Sequence, residues 1–362
     1  MSAAPRLVSL ATAVPRHVVR QEDARRAAAG VFVAALAGGA RLLEVFENAR
    51  IEKRHLCVPL EWFATEHGFE EKNRLYVENA VPLAAEATRR ALARVGLRPA
   101  DVDHVVFVST TGLATPSVDA RLANELGFRP DVRRTPVWGL GCAGGAAGLS
   151  RAAEFARADP SARVLLVALE LCSLTFQRGD LSKRGLVAAS LFADGAAAAV
   201  VAGAEAGGFE RNGQRPLEVL ASRSTLWQDT LDVMGWTVDG EGLHVVFSRD
   251  IPSIVRERVR PGLTGFLESR GLRLEDVRHL AAHPGGVKVL SAYAAALGLP
   301  PDALRHASGV LRDYGNMSSP TCLFVLERFL AAQEIGPGDH AVVTALGPGF
   351  SAEYVLLRGA TG

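Results

Sequence analysis

An internal duplication constrains the fold of this 362-residue chain more than any other feature of its sequence. Three kinds of segment occur twice in the same order: a buried strand followed by a small polar turn, a glycine-containing start of a helix, and a second buried strand. Copies at a nearly fixed separation indicate two structurally similar units. The paired segments are 102–112 and 277–286, 141–143 and 315–317, and 164–170 and 341–347, which are 175, 174 and 177 positions apart.

The duplication predicts two α/β halves, residues 1–207 and 208–362, joined through the small-residue segment 203–208. Apolar residues recur at helical spacing between the strands, for example over 79–95 and 143–158. This pattern favours strands and helices packed in layers. Loops at the strand ends of both halves can then meet at the centre of the molecule, where we expect the functional residues.

The composition narrows the functional class. Hydrophobic residues make up 48% of the chain and charged residues 22%, and the net charge is +1. This balance argues against partners such as nucleic acid or an anionic membrane. Neither a transmembrane run nor a signal peptide is recognisable, so we expect a cytoplasmic protein. The four cysteines, Cys57, Cys142, Cys172 and Cys322, are scattered, so we expect neither disulfides nor a metal site.

Cys142 is the first candidate for catalysis. It lies in the run 138–149, where an apolar stretch ends, glycines surround the thiol and a helical pattern follows. Unpaired N–H groups and the helix dipole favour a thiolate at a helix N-terminus. We expect the neighbouring glycines to let a thioester approach the backbone. The alternative is a small buried cysteine, which is the commoner role of an isolated cysteine.

Two later residues supply a base and an amide to this thiol. His283 precedes a Pro-Gly-Gly turn, and Asn316 follows a glycine. The alternatives are a structural histidine and a cap or turn asparagine. A nearby imidazole is expected to lower the pKa of the thiol of Cys142 and to form an ion pair with it. His283 and Asn316 can also donate to a thioester oxygen, which stabilises the enolate of a decarboxylated malonyl group. The three residues together predict decarboxylative Claisen condensation.

These segments resemble those of the type III polyketide synthases, the chalcone-synthase-like branch of the thiolase superfamily. The resemblance extends from 7–15 to 347–354 and includes G-C-A-G-G at 141–145, H-P-G-G at 283–286 and Y-G-N-M-S-S at 314–319. It implies an α/β fold of the thiolase-like five-layered αβαβα type, built from two similar halves, and a homodimer. It also implies an acyl-CoA starter and malonyl-CoA as substrates, with no carrier protein, metal or redox cofactor.

The resemblance further implies which residues line the substrate cavity. Phe192 corresponds to the first of two gatekeeper phenylalanines between the CoA tunnel and the reaction cavity. Val245 stands at the second gate, and Phe247 lies two residues further on the same face of a strand, so we expect a wider passage. The other cavity residues implied are small and weakly polar: Thr110, Thr111, Thr115, Cys172, Thr175 and Ser318.

Contacts to CoA are also implied by the resemblance. The family places basic side chains in the segment that is 41–55 here, and only Arg41 matches one of those positions. Arg50, Lys53 and Arg54 can supply the missing positive charge to phosphate groups. A solvated surface charge is the alternative for each of them. Gly286 is expected beside the cavity.

The sequence also bears on the identity of the starter. Thr115 stands where phenylpropanoid-using members place a methionine from the partner subunit, which leaves additional room. The apolar cavity and the segment 170–180 favour a long-chain fatty acyl-CoA starter and an alkylpyrone or alkylresorcinol product. Within the family, the alternative is a short or aromatic starter, as in chalcone or tetrahydroxynaphthalene synthesis. A ketoacyl-ACP synthase III is a further alternative, against which the H-P-G-G and G-N-M-S-S segments weigh.

Overall fold

The computed structural model describes residues 3–32, 39–210 and 215–361. The strands are β1 Arg6–Ala13, β2 His17–Arg20, β3 Lys53–Leu56, β4 His104–Val108, β5 Arg133–Val137, β6 Arg163–Leu171, β7 Asp194–Ala202, β8 Leu217–Leu226, β9 Met234–Asp239, β10 Gly242–Phe247, β11 Val277–Ala282, β12 His340–Gly347 and β13 Ser351–Gly359. The helices are α1 Gln21–Phe32, α2 Glu44–Asn48, α3 Phe69–Ala93, α4 Val118–Leu126, α5 Gly144–Ala158, α6 Lys183–Leu191, α7 Ile251–Glu268, α8 Val287–Leu297, α9 Arg305–Tyr314 and α10 Thr321–Ala331. Residues 1–2, 33–38, 211–214 and 362 of the two expected halves lie outside the described ranges.

Nine strands form one hydrogen-bonded sheet in the order β11-β12-β13-β8-β1-β7-β6-β4-β5. At its middle, the described residues of β1 and β8 pair only through Arg6 with Glu218 and Leu7 with Leu217. This short junction divides the sheet into two half-sheets. The first contains β1 and β4 to β7, and the second contains β8 and β11 to β13.

The two half-sheets repeat one connectivity, which confirms the duplication that the sequence predicts. In the first, β6 is parallel to β4 and antiparallel to β7, and β7 is antiparallel to β1. In the second, β12 is parallel to β11 and antiparallel to β13, and β13 is antiparallel to β8. Corresponding strands of the two half-sheets therefore end at equivalent positions. The loops that follow these strands in the two halves lie close together.

Helices α5 and α10 lie between the half-sheets and contact strands of both. Their central position requires small residues: a Cβ on Gly148 of α5 would lie 2.5 Å from Cδ1 of Leu166 on β6. Helix α3 covers the outer face of the first half-sheet. Helix α7 covers that of the second, where the ring of Phe266 stacks on Tyr354 of β13. The resulting α-β-α-β-α succession confirms the expected five-layered fold.

Two small antiparallel sheets, β2–β3 and β9–β10, lie outside the large sheet. Helix α6 contacts α1, α2 and β10. None of the helices in the described ranges is long and apolar enough to cross a bilayer.

Candidate active site

Cys142 lies in a 3₁₀ turn, Gly141–Ala143, that leads directly into α5. The thiol is therefore at a helix N-terminus, where backbone N–H groups lack intrahelical partners. The glycines after Cys142 have a packing role. A Cβ on Gly144 would lie 2.6 Å from Cγ1 of Val108, and one on Gly145 would lie 2.1 Å from the main-chain oxygen of Ser319. These glycines allow α5 to pack against its neighbours. The approach of a thioester to this backbone stays a prediction.

The thiol of Cys142 is buried, with 6% of the residue exposed. Burial raises its pKa to about 11, and the negative charge of Glu170 acts in the same direction. Hydrogen bonds from Ser318 and Asn316 lower the pKa, but desolvation has the larger effect. The thiol is therefore protonated in the unliganded site, and Ser318 and Asn316 are the side chains that stabilise its thiolate.

His283 follows β11, and its main-chain N–H donates to the carbonyl of Thr344 on β12 at 2.8 Å. The imidazole is buried, and within the described residues neither ring nitrogen has a hydrogen-bond partner. Burial lowers its pKa to about 3, so the ring is neutral, with one nitrogen able to donate and one able to accept. The expected lowering of the thiol pKa by this imidazole is not met, because burial disfavours the charged form of both groups.

Asn316 is fixed through both its main chain and its side chain. Its N–H donates to the carbonyl of Leu191 at 2.9 Å, and its carbonyl accepts from the N–H of Ala193 at 2.9 Å. Its Oδ1 accepts from the N–H of Ser318 at 2.8 Å. Its Nδ2 donates to the carbonyl of Gly285 at 3.4 Å, and the second N–H of the amide is a donor to the sulfur of Cys142. The site thus contains a preoriented neutral donor for negative charge.

Sequence reasoning missed Glu170, a fully buried acid at the end of β6. Its carboxylate accepts from the N–H of Thr110 at 2.9 Å and from the hydroxyls of Thr111 and Ser319 at 2.8 Å each. Burial raises its pKa to about 7, although these donors oppose the shift. One acidic residue near the end of an otherwise apolar strand is the signal that could have identified it.

A cavity of ≈ 1340 Å³, here called the large cavity, is lined by Cys142, His283 and Asn316. It therefore brings together the three residues that the sequence selects for catalysis. Predicted residues Arg41, Arg50 and Gly286 also line it. Sequence reasoning did not assign four further basic residues that line it to CoA, because a residue pattern does not show which charges face a cavity: Lys183, Arg184, Arg249 and Lys288.

A second cavity, of ≈ 350 Å³ and here called the apolar cavity, is lined mainly by aliphatic and aromatic side chains of α1, α6 and the 3₁₀ turn Leu60–Ala64. Four predicted substrate contacts line it: Cys172, Thr175, Phe192 and Val245. Sequence reasoning missed the residues of the remaining apolar wall, because the sequence pattern of a helix indicates only which of its faces is buried. These residues include Ala24, Ala28, Phe32, Phe46, Phe63 and Phe176.

An aromatic pair stands between the two cavities. The ring of Phe192, which lines the apolar cavity, is 5.7 Å from the ring of Phe247, which lines the large cavity. Val245 faces the apolar cavity instead. Phe247 thus supplies a second ring at the gate. The wider passage expected from Val245 stays a prediction.

The other predicted cavity residues are distributed differently. Thr110 and Thr111 line neither cavity. The hydroxyl of Thr110 accepts from the N–H of Gly141 at 3.2 Å, and Thr111 donates to the buried acid described above. These two threonines support the catalytic turn, so their prediction as cavity lining is not met. Ser318 is buried beside the thiol, whereas Thr115 is exposed on the surface of the single chain.

Two of the basic residues expected to bind CoA lie elsewhere. Lys53 is exposed but lines neither cavity. Arg54 is 4% exposed, and its Nη1 donates to the carbonyls of Ala189 at 2.7 Å and Phe192 at 2.8 Å. Neighbouring side chains of a strand point to opposite faces, so β3 turns Arg54 inward. The prediction of a CoA contact is wrong for Arg54, and the geometry does not support it for Lys53.

Comparison with known proteins agrees with this geometry. Residues 2–206 match the N-terminal domain of chalcone and stilbene synthases, and residues 218–361 match the C-terminal domain. The chain is 42% identical over 347 residues to 1,3,6,8-tetrahydroxynaphthalene synthase of Streptomyces peucetius subsp. caesius, covering 96% of this chain and 91% of that protein. It is 33% identical over 354 residues to the alpha-pyrone synthesis polyketide synthase-like Pks18 of Mycobacterium tuberculosis (strain ATCC 25618 / H37Rv), covering 96% and 89%. The crystal structure of 1,3,6,8-tetrahydroxynaphthalene synthase from Streptomyces coelicolor A3(2), a bacterial type III polyketide synthase, matches with a TM-score of 0.92 and 31% identity over 99% of this chain and 100% of that chain.

Proposed function

Because the chain belongs to the chalcone and stilbene synthase family, the type III polyketide synthases that condense malonyl-CoA, we propose that its starter is a long-chain fatty acyl-CoA. Several malonyl units extend this starter, and the product closes to an alkylpyrone or an alkylresorcinol. The observation that carries the proposal is the apolar cavity, which adjoins the gate at Phe192 and is separate from the large cavity that holds the thiol.

The lining of the apolar cavity supports an alkyl chain as its occupant. Alanines of α1 leave space along one wall, and aromatic rings form much of the remainder. Each methylene group that enters such a space from water contributes about 0.8 kcal/mol of favourable transfer free energy. Three charged residues contribute to the lining: Arg54 is bonded to carbonyls, Asp180 accepts from the N–H of Ser182 at 3.0 Å, and Glu61 is exposed.

Loading of the starter begins at Cys142. Its sulfur attacks the carbonyl carbon of the acyl-CoA while the thiol proton moves to the neutral imidazole of His283. A new bond forms between the carbon and the sulfur of Cys142, and the bond to the CoA sulfur breaks. The departing CoA thiolate takes the proton back from His283. Basic residues that line the large cavity, such as Arg41 and Lys183, are suited to the CoA phosphates.

Extension uses the same cavity. Malonyl-CoA loses CO2 when the bond to its carboxylate breaks, and the bonding electron pair remains as an enolate. His283 and Asn316 donate hydrogen bonds to the enolate oxygen, which lowers the energy of the charge that develops there. The enolate carbon then attacks the acyl group on Cys142, and the carbon–sulfur bond to the enzyme breaks.

A short starter is the second candidate, and the comparisons supply the observation that favours it. The relative at 42% identity is named for tetrahydroxynaphthalene, an aromatic product without a long alkyl chain. A short starter leaves the apolar cavity without an occupant, whereas a fatty acyl chain fills it. The choice between them can be made by experiment.

We also propose a homodimer. Strand β5 is the outer strand of the sheet, and among the described strands it pairs with β4 alone. Two large apolar side chains close to it are unusually exposed, Leu113 at 44% and Trp138 at 50%. An open strand edge beside exposed apolar side chains is typical of a surface that another chain covers. Thr115, two residues after Leu113, is also exposed.

The experiment that tests the starter is an incubation of the purified enzyme with malonyl-CoA and single acyl-CoAs, without carrier protein. Hexanoyl-, lauroyl-, palmitoyl- and benzoyl-CoA span the candidates, and mass spectrometry identifies the products. The proposal predicts pyrones or resorcinols that carry the lauroyl or palmitoyl chain. Products from benzoyl-CoA, hexanoyl-CoA or malonyl-CoA alone, with none from the long chains, would contradict it.

A further inference from the structure

A buried cation lies next to the gate and has no part in the reaction described above. Arg54 is 4% exposed, on a strand that is otherwise short and peripheral. Burial lowers its pKa to about 10, and the charge of Asp194 opposes this shift, so the guanidinium stays protonated near neutral pH. A buried charge is costly unless hydrogen bonds compensate it. The partners of this charge therefore indicate why it is present.

The first partners lie at the end of α6. Nη1 of Arg54 donates to the carbonyl of Ala189, in the last turn of the helix, at 2.7 Å. It also donates to the carbonyl of Phe192, the residue that ends the helix, at 2.8 Å. Carbonyls at a helix C-terminus lack intrahelical donors and carry partial negative charge, so a cation there is favourable. Arg54 thus fixes the main chain that carries the gate ring of Phe192.

The second contact is with the loop that carries Asn316. Gly315 has φ 75°, and a Cβ there would lie 2.9 Å from Cγ and 3.0 Å from Cδ of Arg54. The aliphatic part of the arginine thus passes directly against the residue before Asn316. The same Cβ would lie 2.9 Å from the carbonyl oxygen of Leu191. Only glycine combines this dihedral angle with this close approach.

The two contacts are linked to each other through the main chain. Phe192 and Asn316 form a parallel bridge, in which Asn316 donates to Leu191 and accepts from Ala193. A displacement of the end of α6 therefore displaces Asn316 as well. Arg54 contacts both sides of this bridge.

We propose that Arg54 is a positioning residue that sets the placement of both the Asn316 amide and the Phe192 gate. The inference rests on the proposed function for the role of Asn316 as an enolate donor. Loss of the guanidinium leaves two carbonyls without their buried donor and releases the anchor that holds the aliphatic part of the side chain against Gly315. The Asn316 amide then loses its alignment with the thiol and with the enolate oxygen, although no group that touches the substrate has been removed.

The test compares Arg54→Met, Arg54→Lys and the control Lys72→Met. Methionine keeps much of the aliphatic volume and removes the donors. Lysine keeps a positive charge. Because Nη1 of Arg54 makes both hydrogen bonds, the ammonium group of the lysine can restore some of this hydrogen bonding. Lys72 is also a buried cation, at 6% exposure, but it donates to Gln177 and not to the bridge with Asn316. Thermal unfolding of each variant reports loss of stability separately.

Three rates are measured for each folded variant: acylation of Cys142 by lauroyl-CoA, decarboxylation of malonyl-CoA, and alkylation of Cys142 by iodoacetamide. For Arg54→Met we expect kcat of decarboxylation to fall between about 10-fold and 100-fold, the scale of a displacement of about 1 Å at reacting groups, with KM nearly unchanged and acylation slowed less than decarboxylation. Alkylation should slow, because a displaced amide no longer stabilises the thiolate. Arg54→Lys should lie between the wild type and Arg54→Met, and Lys72→Met should keep the wild-type rates of decarboxylation and alkylation.

Contrary results distinguish failure of this inference from failure of the proposed function. Wild-type decarboxylation and alkylation in Arg54→Met would overturn the inference. So would an equal loss of all three rates in both Arg54 variants, which indicates a purely structural role. If Arg54→Met does not fold, the test uses Arg54→Lys. The decisive quantity is then the ratio of its decarboxylation rate to its acylation rate, compared with that of the wild type. An Asn316→Ala variant with full decarboxylation would instead refute the role of Asn316, and the alkylation rate would then test the positioning by Arg54 alone.

Discussion

The hydroxyl of Ser319 donates to the carboxylate of Glu170 at 2.8 Å and joins the two halves of the chain across 149 positions. The same carboxylate accepts from Thr110 and Thr111 in the first half. One buried acid therefore holds the segment after Asn316 against the loops that support the catalytic turn. Its substitution tests both the stability of this junction and the protonation state of the acid.

The first prediction concerns the pH dependence of stability. Burial raises the pKa of Glu170 to about 7 in the folded protein, from an ordinary value of 4.5. Between these values the folded chain keeps a proton that the unfolded chain has lost, so the folded state loses stability as the pH rises. We expect this group to remove about 3 kcal/mol of unfolding free energy between pH 4.5 and pH 7. Urea unfolding of the wild type and Glu170→Gln over this range measures the difference.

Glutamine keeps the size of the side chain and an acceptor oxygen for the two threonines. The control is Glu125→Gln, which changes an exposed residue paired with Arg89. The control should retain the wild-type pH dependence, and Glu170→Gln should be flatter. An identical slope in wild type and Glu170→Gln would mean that the carboxyl is already ionised at low pH.

The second prediction concerns the nucleophile. Cys142→Ala should abolish acyl loading from lauroyl-CoA and all polyketide formation, because no other group in the large cavity can form the thioester. Slow decarboxylation of malonyl-CoA should remain, since the enolate donors are His283 and Asn316. Mass spectrometry of the intact protein detects the acyl adduct, and release of CO2 reports decarboxylation. Product formation near the wild-type rate would contradict the assignment.

The third prediction separates Asn316 from the nucleophile. Asn316→Ala should lower decarboxylation by about 10²–10³-fold, the usual effect of losing one oxyanion donor. Cys142 should still be acylated by the starter, more slowly because the thiolate has lost one of its two hydrogen-bond donors. Trapped acyl-enzyme in the intact mass spectrum is the expected signature. A folded variant that does not load the starter would show instead that Asn316 positions the acyl group.

The fourth prediction concerns the proposed dimer. Leu113→Asp places a charge on an exposed apolar side chain near the edge strand β5. If a second copy covers this surface, the variant should behave as a monomer in light scattering after gel filtration, and the wild type as a dimer. Val238→Asp, on an exposed residue of the β9–β10 hairpin, is the matched control and should remain dimeric. A wild-type monomer with full activity would refute the dimer.

The sequence predicts the duplicated fold because the repeated strands are buried and so carry a continuous apolar pattern. The sequence also predicts that Cys142, His283 and Asn316 meet, and all three line one cavity. Each of them lies next to the end of a strand or helix that has a counterpart in the other half of the chain. The pattern of residues is sufficient for these inferences, because loops at the strand ends of both halves meet at the centre of a layered fold.

Other features depend on geometry that a residue pattern does not contain. Arg54 points inward and Lys53 outward because of the register of the two-stranded sheet β2–β3, and the sequence alone does not determine that register. The same holds for the hairpin β9–β10, which presents Phe247 to the ring of Phe192. The protonation states of Cys142 and His283 follow from their burial, which only the folded structure determines.

The fifth prediction tests the central claim, that the apolar cavity accepts the acyl chain of the starter. Cys172 is 2% exposed and lines this cavity. Cys172→Phe adds a rigid ring to that space, and a well-packed surrounding does not absorb such a volume. Cys172→Ser keeps the size of the side chain and serves as the control.

The most direct measurement is the ratio of kcat/KM for palmitoyl-CoA to that for hexanoyl-CoA in the wild type, Cys172→Ser and Cys172→Phe. The wild type and Cys172→Ser should prefer palmitoyl-CoA. Cys172→Phe should reverse the ratio, with hexanoyl-CoA used as well as or better than by the wild type, because only the long chain needs the filled space. An unchanged ratio in Cys172→Phe, or a wild type that prefers hexanoyl-CoA, would contradict the account.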